Sequence, residues 1–429
     1  MKKVNVLILG SGGREHAISW KIKQSPLLNK LFVAPGNSGT LEIAENIKIN
    51  ILNYIEIKKT ILDHKIDLLI IGPEEPLVNG LHDKLITDID MKDLIIIGPQ
   101  KTGAKLEGSK SFAKDFMTKN KIPTAQFKTF NIKERNEIKT FLLNSNSPYV
   151  IKMDGLAAGK GVFICETFDE AMEVVDKIKT EKMFGTAGEK IIIEEFLVGI
   201  ELSVFILTDG QNYKLLPIAK DYKRIGDGDT GLNTGGMGAV SPLPFVNKTC
   251  LKKIKDKIIS PTLKGLKNEN IQYTGFIFFG LILVGTEPYV IEYNVRLGDP
   301  ETQVILPRLQ SDLLELFLNI NNRDLFAELP IIIKNEMATT ITVASGGYPE
   351  NYKKNLVVHG INTIQDSIIF HAGLKLENKE YRTNGGRVLN MTSLADNFQS
   401  AITKSYNNIK NIHFENLYFR NDIGKDIFK

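Results

Sequence analysis

Apolar runs alternate with helix-spaced stretches through the first hundred residues. Runs over residues 4–9, 30–33, 67–71 and 94–97 each end near Gly or Pro, and helical patterns cover 15–24 and 81–86 between them. Strands alternating with helices predict a doubly wound parallel sheet. Ligands of such sheets lie at the carboxyl ends of the strands. Those ends read Gly10-Ser11-Gly12-Gly13-Arg14-Glu15-His16, Ala34-Pro35-Gly36-Asn37, Gly72-Pro73-Glu74-Glu75-Pro76 and Gly98-Pro99. Four polar loops are therefore expected on one edge.

A second segment starts near Gly108-Ser109-Lys110. Its pattern predicts a helix over 110–120, stopped by Ile122-Pro123-Thr124, then strands over 149–152, 162–165, 190–194 and 201–208. A long glycine-rich loop over 221–241 follows, then a helix over 251–266 and strands over 274–284 and 289–294. From about Leu329 a smaller α/β unit is expected, with a strand over 339–344 and a helix over 393–409. The expected domains are 1–106, 107–328 and 329–429, the middle one carrying a glycine-loop lobe at about 124–194.

A length of 429 residues suits roughly two to four domains. The 54 basic and 50 acidic residues leave a net charge of +4, which gives no bias toward nucleic acid or membrane. The first apolar run is short and enters a glycine turn, as a strand does and a signal peptide does not. No stretch reaches the roughly 18 apolar residues of a membrane helix. Two cysteines, Cys165 and Cys250, without metal-type spacing, suit a reducing compartment, and the expectation is a cytoplasmic protein.

The densest chemistry lies in the stretch from Ile291 to Gln303. Alternate strand residues share a face, so Glu292 and Asn294 point the same way. A carboxylate and an amide oxygen side by side suit a hard cation such as Mg²⁺, which leaves room for phosphate oxygens. Arg296, next on that face, offers a planar fork for carboxylate or phosphate. Gly298-Asp299-Pro300 then turns the chain. A polar strand end with a surface turn would give the same letters.

Other motifs leave more than one reading open. Gly10-Ser11-Gly12-Gly13-Arg14-Glu15 superficially fits a dinucleotide fingerprint, but Glu15 occupies the third glycine position and no acid ends the second strand. A phosphate monoester on helix N-terminal amides and a tight turn without ligand both remain. Residues 152–161 are one residue short of a Walker loop, and Gly161 stands where Ser or Thr would be. A glycine hairpin over phosphates, with Lys152 at its root, fits better than a plain surface hairpin. Glu194-Glu195 ends an apolar strand. It is either a connector whose backbone reads an adenine edge, with Glu201 beyond it for ribose hydroxyls, or a helix start. The six glycines between Asp221 and Ser241 suggest a mobile lid or binding loop. No nucleophile elbow, catalytic Cys–His setting or His cluster is present.

In order along the chain, these motifs resemble the ATP-grasp superfamily and, within it, the phosphoribosylamine–glycine ligase family. The resemblance is carried by Gly12-Gly13-Arg14-Glu15-His16-Ala17, Leu106-Glu107-Gly108-Ser109-Lys110, Asp154-Gly155-Leu156-Ala157-Ala158-Gly159-Lys160-Gly161 and Asn233-Thr234-Gly235-Gly236-Met237-Gly238-Ala239. Arg296-Leu297-Gly298-Asp299-Pro300-Glu301-Thr302-Gln303 and Thr383-Asn384-Gly385-Gly386-Arg387-Val388 complete it. Met153, Ile200 and Tyr222 depart from the usual Ala, acid and His.

The resemblance implies an ATP-grasp fold with an N-terminal doubly wound domain and a small C-terminal α/β domain. It also implies ATP-dependent joining of glycine to 5-phosphoribosylamine through glycyl phosphate, in purine biosynthesis. ATP would be held by Lys110, Lys152, Gly155, Gly159, Lys160, Gly161, Glu194, Glu195, Leu197 and Glu201, and Mg²⁺ or Mn²⁺ by Glu292 and Asn294. Gly12, Gly13, Arg14, Asn37, Glu74, Asp221, Lys223, Arg296, Gly385, Gly386 and Arg387 would bind the other substrates. Arg296, with Lys152, would carry the catalysis. The expected partners are small molecules, and the expected assembly is a monomer. The rivals are another ATP-grasp ligase, a carboxylase, and, from a different class, a nucleotide-binding dehydrogenase or sensor.

Overall fold

The computed structural model describes residues 2–156, 161–181 and 188–428. Strands β1 (Val4–Gly10), β2 (Leu28–Pro35), β3 (Glu45–Asn46), β4 (Leu68–Ile71) and β5 (Ile95–Ile97) form a parallel sheet in the order β3-β2-β1-β4-β5. Continuous burial of Leu7, Ile8, Leu9, Leu69 and Ile70 is what helices on both faces produce. The order reverses beside β1, so the turn Gly10–Gly13 sits where such sheets open a crevice.

Two antiparallel sheets follow. One pairs Phe127–Asn131, Lys190–Glu195, Tyr149–Met153 and Val162–Cys165 in that order. It has its own core, including Phe130, Ile138, Ile151, Val175 and Ile193. The other runs Tyr213–Leu215, Ile200–Thr208, Gly275–Val284, Glu287–Asn294. Residues 196–199 join the two sheets as a connector, so the helix-start reading of Glu194-Glu195 does not hold. Branched and aromatic side chains fill the long strands of both sheets, as in Lys190–Glu195 and Gly275–Val284, because they pack well on a pleated surface.

A further sheet combines distant parts of the chain. Met337–Ser345 lies between Arg387–Ala395 and Gly238–Ser241, and Lys220–Asp221 extends the latter edge. The sheet is thus built from both sides of residue 329.

Two expected elements are corrected. The helix expected over 393–409 begins at Phe398; residues up to Ala395 finish a strand, and the Asn397 side chain caps the helix by accepting from Ser400 N at 2.8 Å. The loop expected over 221–241 is mostly strand. Arg224–Gly226 and Thr230–Asn233 form a hairpin whose turn holds Gly228 and Asp229 at φ of +69° and +55°. Two successive positive φ values suit a tight hairpin turn, and the Gly228-Asp229 pair supplies them at low steric cost.

Candidate functional site

Strand Glu287–Asn294 carries Glu292 and Asn294 on one face, as alternation requires. Glu292 lies opposite Gly280, where an added Cβ would stand 3.0 Å from the Glu292 side chain, so glycine leaves the carboxylate room to lie across its neighbour. Burial alone would raise the Glu292 carboxyl, but Lys223, Lys152, Lys110 and Arg296 outweigh it and hold the group below the usual carboxylate range. Four cations from four segments thus surround one anion. Asn294 is buried, and its Nδ2 has no partner.

The lysines come from elements fixed by local contacts. Lys110 opens the helix Lys110–Lys119, which Ser109 caps. Asp154 receives Ser109 Oγ at 3.0 Å and Ser111 N at 3.1 Å, tying that helix to the glycine loop. Lys110 Nζ donates to Gly155 O at 2.9 Å, and burial lowers its amine below the ordinary value despite Glu292 nearby. Met153 N donates to Gly161 O at 3.0 Å across the loop mouth. Gly159 and Lys160 lie outside the described residues.

Lys152 Nζ sits 2.9 Å from Glu194 Oε2, and Lys114, absent from the sequence expectations, sits 3.1 Å from the same oxygen. All three side chains are buried, and Glu194 Oε1 has no partner. Glu195 Oε1 accepts from Gln126 N at 2.8 Å, and Leu197 is half-buried in the connector. Glu201 pairs with Lys223 at 2.7 Å, and that amine holds the carboxyl low against burial. Asp221 is pushed up by burial. Glu301, also unforeseen, is pushed up to about 7 by burial and Asp221.

Arg296 joins this cluster to the first domain. Its Nη2 is 2.8 Å from Glu107 Oε1 and its Nε is 3.3 Å from Glu74 Oε2. Glu107 also accepts from Val295 N at 2.7 Å, so it orients both the backbone and the fork. Sequence reading passed over Glu107 although it lies inside a quoted motif; a carboxylate among small and apolar helix residues was the available signal. Burial opposes ionisation of Glu74, but Arg296 and Arg14 hold it below its ordinary value.

The loops of the first sheet do converge. Gly12 N donates to Glu15 Oε2 at 2.7 Å, so Glu15 folds back as a cap and the Gly12 amide is already engaged. Arg14 reaches Glu15 Oε1 at 2.6 Å and Leu297 O at 3.2 Å. An added Cβ on Gly13 would stand 2.6 Å from Gln303 Nε2 and 2.8 Å from Asn390 Oδ1, so glycine permits close packing of three segments. Asn37 Nδ2 donates to Ser11 O at 2.9 Å and His371 O at 2.8 Å. Arg387 Nη1 donates to Gly235 O and Asp299 O, each at 2.6 Å, while Arg14 N lies 3.3 Å from Asp299 Oδ2. Asp299 therefore brings Arg14 and Arg387 together from opposite domains. The carbonyls of Gly385 and Gly386 accept from Ser345.

Family models for the N domain, the ATP-grasp (A) domain and the C domain of phosphoribosylglycinamide synthetase match residues 4–107, 108–302 and 338–426. The chain belongs to the phosphoribosylglycinamide synthetase family. It is 44% identical over 425 residues to the phosphoribosylamine–glycine ligase of Fusobacterium nucleatum, covering 98% of each chain. The solved phosphoribosylamine–glycine ligase of Thermotoga maritima superposes with a TM-score of 0.84 at 33% identity, covering 98% of this chain and 100% of that one. A biotin carboxylase domain from Hydrogenobacter thermophilus, solved with MgADP and bicarbonate, shares the fold at a TM-score of 0.71 and 15% identity over 97% of this chain and 92% of its own.

Proposed function

We propose that this member of the family joins glycine to 5-phosphoribosylamine, with ATP converted to ADP and phosphate. The observation that carries the reading is Glu292 facing Lys223, Lys152, Lys110 and Arg296, with Arg296 bridging to Glu74 of the first domain. Cations of this number suit a polyphosphate.

The chemistry follows from the electrophile. Glycine's carboxylate is anionic and resonance-stabilised, so an amine does not attack it. One carboxylate oxygen takes the γ-phosphoryl group of ATP, ADP departs, and glycyl phosphate results. The amine nitrogen of phosphoribosylamine then attacks the acyl carbon. The phosphate leaves with the bridging oxygen, and the nitrogen gives up a proton. No protein nucleophile is needed, and the work is positioning and neutralisation of charge. Lys110 and Lys152 are assigned to the ATP phosphates, and Arg296 to the transferring phosphoryl group or the glycine carboxylate. Glu194, Glu195, Leu197 and Glu201 are assigned to the nucleoside, and Asp221 and Lys223 to the substrate side. Gly13, Arg14, Asn37, Gly385, Gly386 and Arg387 would hold the amine substrate, with Glu74 on its ribose hydroxyls and Gly12, whose amide Glu15 already engages, giving it room rather than a donor.

The Glu292 carboxylate and the amide oxygen of Asn294 are the donor types of a divalent cation that takes few protein ligands, and the partnerless Asn294 Nδ2 is a donor left for a phosphate oxygen beside it. Among the described residues there is no cluster of three or more His, Cys, Asp or Glu to hold a metal otherwise. When bound, Mg²⁺ or Mn²⁺ would neutralise charge on the phosphates. No helix among the described residues is long and apolar enough to cross a membrane. We place the reaction in the cytoplasm, in keeping with the unpaired Cys165 and Cys250, and take the chain as a monomer.

The test is phosphate release and amide formation with each substrate omitted in turn. Product is expected only with ATP, glycine and phosphoribosylamine together. Phosphate release indifferent to glycine, or equal turnover with another acid, would overturn the reading.

A further inference from the structure

The hairpin Arg224–Gly226/Thr230–Asn233 belongs to no larger sheet, and two strands alone are marginal in water. It is nonetheless gripped along its length by the segment 418–426. Arg420 Nη1 donates to Arg224 O at 3.0 Å and to Asp229 Oδ1 at 2.7 Å. Tyr418 OH donates to Ile225 O at 2.7 Å, and Asn421 N donates to Asp227 Oδ1 at 2.8 Å. Gly228 N donates to Asp422 Oδ2 at 2.7 Å, and the same Asp422 takes both Nε and Nη2 of Arg420. The Arg420 side chain is 1% exposed, an expensive place for a charge unless it is fully paired.

The same segment holds the strand before the hairpin. Tyr222 OH and Lys220 Nζ both reach Asp426, and Gly424 N donates to Tyr222 OH at 3.0 Å. Tyr222 and Arg224 are thus anchored on either side of Lys223. Lys223 Nζ sits 2.7 Å from Glu201 and is one of the cations that hold the Glu292 carboxyl low. A residue held at both neighbours has little freedom to swing.

We propose that Arg420 and Tyr222 are positioning residues, through which the segment 418–426 sets Lys223 against Glu201 and Glu292 and so tunes the metal-dependent phosphoryl-transfer step. This rests on the assignment of Glu292 to that step. It also gives a physical role to the Tyr222 departure, since a phenol reaches Asp426 and Gly424 N together.

The test uses the full chain carrying Arg420→Met or Tyr222→Phe, assayed where circular dichroism shows each folded. The readouts are kcat, the Mg²⁺ concentration for half activity, and KM for phosphoribosylamine. Arg420→Met is expected to lower kcat by about 10- to 100-fold, the scale of a misplaced catalytic group, and to raise the Mg²⁺ requirement. Tyr222→Phe, which removes the hydrogen bonds to Asp426 and from Gly424 N, should move both in the same direction by about 3- to 10-fold. KM for phosphoribosylamine should stay put, which general loosening would not allow. Wild-type kcat and Mg²⁺ dependence in folded Arg420→Met overturns the proposal; if that variant does not fold, Tyr222→Phe decides by the same criterion. Glu292→Gln runs alongside. If it alone abolishes Mg²⁺ dependence, the clamp fails and the site stands; if it too is unchanged, both fail.

Discussion

The two halves of the cleft are finished to different degrees. On the first-domain side the polar groups already satisfy one another: Gly12 N with Glu15, Arg14 with Glu15 and Leu297 O, Asn37 with Ser11 O and His371 O. On the opposite side buried atoms lack partners, among them Glu194 Oε1 and Asn294 Nδ2. A buried polar atom without a partner costs about 1–3 kcal/mol, and such atoms persist where a ligand completes them. We read one half as a preformed cradle and the other as a charged frame that its ligand finishes.

The largest test of that contrast is Glu292→Gln. Removing the charge on the frame side should cost kcat about 100-fold or more at ordinary Mg²⁺, because metal stabilisation is worth several kcal/mol. Steady-state turnover across a Mg²⁺ titration measures it, and undiminished activity would break the contrast at its root. Next is Glu107→Gln. Taking one partner from a buried pair costs about 3–5 kcal/mol where nothing compensates; Glu74 compensates in part here, so a clear fall in denaturant midpoint should accompany lower kcat. Loss of stability without loss of rate would make Glu107 purely structural.

Glu74→Ala probes the cradle. It should raise KM for phosphoribosylamine or lower kcat by about tenfold, a few hydrogen bonds at most, with KM for ATP nearly unchanged. A selective loss of ATP affinity would instead assign the first domain to the nucleotide. The smallest effect is on stability in acid. His16 Nδ1 accepts from His371 N at 2.9 Å at the seam beneath the cradle. Burial, with His371 adding, takes His16 down to about 3, and burial takes His371 down to about 4. The unfolded chain binds these protons near the ordinary 6.5, so stability is complete above about 6.5 and falls with pH down to about 4. Urea midpoints at pH 7 and 5 should show this, and His16→Asn should reduce the slope by one proton. An unchanged slope would mean that the histidines are not neutral in the fold.

The sequence made the parallel sheet legible because continuous apolar runs ending in glycine have few other structural meanings. The shared face of Glu292 and Asn294 was legible because a period of two sets it, whereas Arg296 lies past the end of the strand at Asn294 and is placed by Glu107 and Glu74. The hairpin after Lys223 was masked by glycine density, although Gly228-Asp229, a pair that tolerates positive φ, was its signature. The helix at Phe398 was started too early because alternation through Leu389, Met391 and Ser393 runs straight into it. Lys114 and Glu301 acquire meaning only through contacts 80 and 98 residues away, with Glu194 and Ser203, and Arg420 through contacts with Arg224 and Asp229. No local pattern encodes such pairings.

The sheet that joins Gly238–Ser241 to Met337–Ser345 also bears on how the chain is made. On a ribosome the first strand emerges roughly a hundred residues before its neighbour, and synthesis runs at about 5–20 residues per second. For several seconds its backbone edge is open, which invites pairing with another chain. The middle of the protein can settle its own two sheets in that interval, but the cleft around Lys223 cannot take shape until translation is almost over.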